Sequence, residues 1–106
     1  MAYLAKGIAQ TSELVKKFNG LAHVVIPGVV KWRYTFENDW SGDPAIFFWV
    51  VVTDEASKPQ NLRQTKSAFI AKINNHVDLA GEWGLIPYFS FRSLSEQVEL
   101  KDEVYE

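Results

Sequence analysis

The run Ala45–Thr53, AIFFWVVVT, leaves this chain few folds to choose from. Ile46, Phe48, Val50 and Val52 alternate with Ala45, Phe47, Trp49, Val51 and Thr53, so a strand built on it is apolar on both sides. Such a strand belongs at the centre of a sheet with both faces covered. The rest of the chain must supply two neighbours and two covers.

One neighbour lies just upstream. From Val29 to Glu37, Val30, Trp32, Tyr34 and Phe36 alternate with Lys31, Arg33, Thr35 and Glu37, the pattern of a strand with one buried face. Pro27-Gly28 before it has the residues of a type II turn. NDWSGDP at 38–44 is turn chemistry apart from Trp40. An antiparallel hairpin with Glu37 opposite Ala45 puts Trp32, Tyr34 and Phe36 on one face with Val50, Phe48 and Ile46. The other face then pairs Arg33 with Trp49 and Thr35 with Phe47.

Helical spacing of Leu4, Ile8, Thr11, Val15 and Phe18 predicts a first helix ending near Asn19, with Gly20 as its cap. Ser12 offers a later start, and Ala22–Ile26 is β-rich enough for a short extra strand. Ser57 and Gln60 have capping-box spacing ahead of a helix with Leu62, Phe69, Ile70, Ile73 and Val77 on one stripe, stopped by Gly81 or Gly84. Leu85–Arg92 reads as a strand near an edge, because Pro87 cannot donate to a ladder. Ser93 and Glu96 repeat the capping-box spacing before a last helix, and the acidic 97–106 tail is expected to fray. The expected fold is α+β in a single domain, 1–106, of order α-β-β-α-β-α. Its antiparallel or mixed sheet has three or four strands, with two main helices on one face.

Composition narrows the functional classes. Cysteine is absent, which removes disulfide scaffolds, cysteine-rich zinc sites and thiol nucleophiles. A formal charge of −2 argues against binding nucleic acid by bulk electrostatics. The charge is polarised: Lys6, Lys16, Lys17, Lys31 and Arg33 lie in the first third of the chain, and Glu96, Glu99, Asp102, Glu103 and Glu106 at its end. No run approaches the roughly 18 apolar residues of a membrane span, and no signal peptide is evident, so a cytoplasmic location without membrane association is expected.

Two regions are candidates for function. The 37–43 loop gathers Glu37, Asp39 and Asp43 around Trp40, oxygen donors of the kind a hard cation takes. The spacing is not that of an EF-hand, and a turn satisfied by its own Asp and Asn side chains is favoured. Neither Asp54 nor Glu55, at the end of the central strand, is placed for metal-dependent phosphoryl transfer. His23 and His76 lack the serine, metal-ligand or phosphate-loop context that would give them work. At the start of the last helix, Arg92, Ser93, Ser95 and Glu96 could hold an anion, although a capped helix start is favoured. No catalytic residue, metal or cofactor is expected.

The second face of the hairpin, Lys31, Arg33, Phe47, Trp49 and Val51, is the stronger candidate. Left in water it forms an apolar patch of the kind that marks an interface, so a homodimer or a protein partner is the leading expectation. Aromatic and basic side chains interleaved on an open sheet also suit single-stranded nucleic acid, the alternative reading. A small-molecule or metal-dependent enzyme using the 37–43 loop is a further alternative. The N-terminal segment could also simply cover the face.

DWSGDPAIFFWVVVTDEAS, the Leu62-Arg63 pair and WGLIPYFSFRSLSEQ resemble a family of small uncharacterised bacterial proteins, often encoded beside HEPN-domain partners in toxin–antitoxin-like or mobile-element neighbourhoods. The resemblance spans roughly Trp32 to Gln97. It implies an accessory protein whose partner is encoded nearby, and it assigns no residue a role.

Overall fold

A computed structural model describes residues 11–105. The order is α1 (Thr11–Leu21), β1 (Val29–Asn38), β2 (Pro44–Val52), α2 (Pro59–His76), α3 (Leu79–Trp83), β3 (Ile86–Ser93) and α4 (Leu94–Leu100), followed by a 3-10 turn at Glu103–Tyr105. The fold is α+β around a mixed three-stranded sheet ordered β1-β2-β3, with β2 central. The expected contributions of Leu4 and Ile8 to the first helix lie outside the described residues.

The hairpin register is the one that patterning predicts. Glu37 faces Ala45, Thr35 faces Phe47, Arg33 faces Trp49 and Trp32 faces Val50. A bulge between Val29 and Lys31 breaks the alternation, so Val30 leaves the core face and is 44% exposed. β3 runs parallel to β2, pairing Phe47 with Tyr88 and Phe48 with Phe89. A parallel neighbour needs a long crossover, and α2 with α3 supplies it.

The core lies between the first sheet face and the helices. Phe48, fully buried, stacks on Phe89 at 4.9 Å and meets Phe69 of α2 and Phe18 of α1 edge-on at 6.0 and 5.7 Å. Trp32, Tyr34 and Phe36 pack against this cluster half-buried, because β1 is the outer strand on that side. Helix α1 turns Leu14, Phe18 and Leu21 inward. It runs past Gly20, which is helical here rather than a cap.

The residues at 22–26 form no fourth strand. Ala22 and Val24 donate their N–H groups back to the Phe18 and Leu21 carbonyls, so they are not available to a ladder. The turn at Pro27-Gly28 does form, with Val29 N–H bonded to the Ile26 carbonyl at 3.0 Å and Gly28 at φ +82°. A Cβ on Gly28 would sit 2.9 Å from the Cβ of Ala56, so position and conformation both require glycine.

Helix α2 starts without the expected box. Lys58 is its N-cap with no side-chain bond, Pro59 opens the first turn, and the Ser57 hydroxyl donates to the Asp54 carbonyl instead. The helix stops at His76, short of either glycine. Val77 is extended, and Asp78 caps the separate helix α3 by accepting from Gly81 N–H. Gly84, left-handed at φ 66°, ends α3.

The capping box at α4 forms as predicted, with Ser93 Oγ accepting from Glu96 N–H and Glu96 Oε1 accepting from Ser93 N–H, both at 3.2 Å. The acidic tail differs from expectation. Lys101 takes a left-handed conformation at φ 50°, the chain doubles back, and Tyr105 is buried to 7% exposure. That return covers part of the second sheet face.

Candidate functional site

The second face carries Arg33 and Thr35 from β1, Ala45, Phe47, Trp49 and Val51 from β2, and Tyr88, Ser90 and Arg92 from β3. Its two ends differ. At the Val51 end, α4 and the 3-10 turn pack against β2, and Val51 is fully buried. Val51 is therefore a covered residue, where an interface position was expected. At the other end Phe47 and Tyr88 are half-buried and Trp40 is exposed.

Tyr105 marks the boundary. Its ring meets Trp49 edge-on at 5.6 Å, and the Arg92 guanidinium lies 4.2 Å over its centroid. Arg92 also bonds Gln97 Oε1 and the Asp102 carboxylate, both at 3.3 Å, while Gln97 Nε2 donates to the Asp102 carbonyl at 2.8 Å. Arg33 donates to the Glu103 carbonyl at 3.2 Å, a second tie between the sheet and the C-terminal segment. Arg33 stands opposite Trp49 in the ladder, but the arginine that stacks on a ring is Arg92, over Tyr105, and Trp49 Nε1 donates to Thr35 Oγ1 at 3.3 Å.

Beyond Trp49 the rings continue as a row. Phe47 stands 6.2 Å from Trp49 and 5.0 Å from Tyr88, with planes within 17° and 16° of parallel. Trp40 extends the row at 5.1 Å from Tyr88. Phe47, Trp49 and Tyr88 are half-buried, whereas Trp40 is 81% exposed. An indole so exposed gains little from its own fold, and a solvated tip has no need of one.

The 37–43 loop supports this row. Asp39 Oδ1 accepts from Ser41 N–H at 2.9 Å and Asp43 N–H at 3.0 Å, and the Gly42 N–H closes onto the Asp39 carbonyl at 2.9 Å. Asp39 Oδ2 accepts from the Tyr88 hydroxyl at 2.9 Å, tying the hairpin tip to β3. These bonds, the Asp43 N–H foremost, hold the Asp39 carboxyl below the usual carboxylate range. The bond to Asp39 in turn raises the Tyr88 phenol above its usual value. Asp39 thus fixes Trp40 and Tyr88 relative to each other. Among the described residues, no three His, Asp or Glu side chains gather closely enough to hold a metal ion.

The remaining candidates resolve as structure. His76 Nε2–H donates to the Lys17 carbonyl at 2.7 Å, joining α2 to α1, and His23 is exposed in the turn after α1. The junction before α4 does bind an anion, and the anion is internal: the Asp54 carboxylate accepts from Ser95 N–H at 2.9 Å and from the Ser95 hydroxyl. The Ser95 hydroxyl and N–H lower the Asp54 carboxyl in consequence.

Tyr88 and Tyr105 belong to this face although no motif in the sequence marks them, and Arg92, a candidate for the anion site before α4, belongs to it as well. Tyr88 and Arg92 alternate with Phe89 and Phe91 in PYFSFR, which marks their common side, but only the register with β2 shows which side that is. Tyr105 stands in a stretch of acidic residues with no periodic signal.

Comparison with protein-family models, curated proteins and solved structures returns no match. Among the described residues no helix is long and apolar enough to cross a membrane.

Proposed function

We propose that this is a non-enzymatic interaction protein that binds another protein chain through the Trp40–Tyr88–Phe47 end of the aromatic row. The observation that carries this reading is Trp40, 81% exposed yet set beside Tyr88 by a hydrogen-bonded turn. Held aromatic side chains with open faces are the anchors of protein interfaces, because they bury large area at little cost in side-chain entropy. The chain's own C-terminal segment offers a pattern for such binding: an acidic 3-10 turn lays Tyr105 on Trp49, with Arg33 and Arg92 engaging the polar groups of the segment. A partner continuing that contact would present an aromatic or apolar side chain to Phe47 and Tyr88.

The resemblance over Trp32 to Gln97 fits a bacterial cytoplasmic accessory protein whose partner is encoded beside it. Single-stranded nucleic acid is the weaker reading of the same face, since both Arg33 and Arg92 are directed to the acidic C-terminal segment. Affinity purification from the native host with wild type, Trp40→Ser and Tyr88→Ser tests the proposal. A protein retained by wild type and lost from both variants is the expected outcome. Equal recovery from all three, or tryptophan quenching by short RNA that fades with salt, would contradict it.

A further inference from the structure

The two edges of the sheet are not alike. β3 contains Pro87, which has no N–H to offer a neighbouring strand, and passes directly into α4. β1 is ten residues long and free of proline, and no strand lies on its outer side among the described residues. A long, unblocked edge is a template for another strand unless something in the sequence discourages pairing. The sequence of β1 does the opposite for one particular guest.

Read backwards about Thr35, β1 is complementary to itself. In an antiparallel pair of β1 strands with Thr35 opposite Thr35, Arg33 faces Glu37 of the second copy, and Glu37 faces its Arg33. On the core side the same register sets Tyr34 opposite Phe36, twice. Arg33 and Glu37 are exposed, and Tyr34 and Phe36 are only half-buried in one chain. Sliding the axis to Arg33 would set that arginine against itself. An open groove of about 400 Å³ lies between the 22–26 turn and the first half of β1, lined by Phe18, Trp32 and Tyr34 among others.

We infer that β1 pairs with β1 of a second copy of this chain about a two-fold axis at Thr35, giving a dimer with one continuous six-stranded sheet. Strand addition to an open edge supplies main-chain hydrogen bonds, and the Arg33–Glu37 pairs fix the register. The axis stands perpendicular to the sheet, so the aromatic rows of both copies face the same side. The inference goes beyond the partner-binding reading and does not rest on it, because Trp40 and Tyr88 take no part in the edge.

Sedimentation velocity of the full chain over a concentration series tests it, with Arg33→Glu, Glu37→Arg and the double charge exchange. Wild type is expected to dimerise. Each single variant should weaken the dimer on the order of tenfold or more, through like charges at both symmetric contacts, and the double exchange should restore it. Glu37→Arg is informative on its own, since it keeps Arg33, the residue that donates to the Glu103 carbonyl. A wild-type monomer at about 100 μM, single variants that dimerise normally, or a double exchange that stays dissociated would each overturn the inference. So would a dimer lost on Trp40→Ser, which would place self-association on the aromatic face instead.

Discussion

Phe47 and Phe48 are neighbours on one strand and have opposite circumstances. Phe48 is fully buried among Phe18, Phe69 and Phe89, held by two helices and a strand. Phe47 is half-buried among Trp49 and Tyr88. Both faces of β2 are equally apolar in sequence, so hydrophobicity does not separate them. What separates them is the cover: helices close the first face, and a short returning segment closes only one end of the second. An apolar face left part-open costs the chain solubility, which makes the open end the place where function is to be sought.

The largest effect should come from breaking the closed side. Phe48→Ala should cost about 3–5 kcal/mol of unfolding free energy, because the cavity it leaves is enclosed by rigid rings. Phe47→Ala should cost only about 1–2 kcal/mol, since its ring is part-solvated already. Chemical denaturation of the two variants checks this contrast, and equal losses would remove it.

Tyr105→Ala probes the boundary between the covered and open ends. Loss of its contacts with Trp49 and Arg92 should cost about 1 kcal/mol and shift the fluorescence of Trp49 to the red. An unchanged emission spectrum would mean that the returning segment does not cover Trp49 in solution.

The acid limb of the stability curve probes the support beneath Trp40. The folded Asp39 carboxyl is held below its unfolded value, so its stabilisation is complete above that unfolded value and is lost as pH falls through the folded one. Asp39→Asn should therefore lower stability at neutral pH and flatten the loss of stability below about pH 4. Urea midpoints measured across that range report it, and parallel curves for the two proteins would contradict it.

Trp40→Ser should be the quietest change in the fold, within about 0.5 kcal/mol of wild type, because an indole 81% exposed contributes little packing. The same substitution should be the most damaging to partner binding.

The hairpin was legible because strand alternation has a period of two: with one face of β1 apolar and both faces of β2 apolar, a single register satisfies both strands, and Glu37 opposite Ala45 is what forms. Local chemistry likewise placed the Pro27-Gly28 turn and the Ser93–Glu96 box. Where competing local solutions existed, patterning could not choose between them. Ser57 lies inside the turn that precedes α2, and Asp78 captures a new helix before Gly81 can end the old one.

The face itself was legible in Phe47 and Trp49, but its limits were not. Val51 is covered and Tyr105 lies on Trp49 because a left-handed Lys101 turns the chain back, and nothing periodic in KDEVY announces that turn. The Asp and Asn content of the loop pointed to a turn satisfied by its own side chains, and the bonds to Asp39 Oδ1 are of that kind. The second use of Asp39, fixing Trp40 beside Tyr88, needed the parallel register of β3 to be seen.

The claim that the open end of the second face receives a protein is tested most directly by a photo-reactive side chain substituted for Trp40 in the native host, compared with the same group replacing the exposed Gln60 on α2. The account predicts a defined protein adduct from the first position and none from the second. Adducts in equal yield from both positions, or none from Trp40, would contradict it.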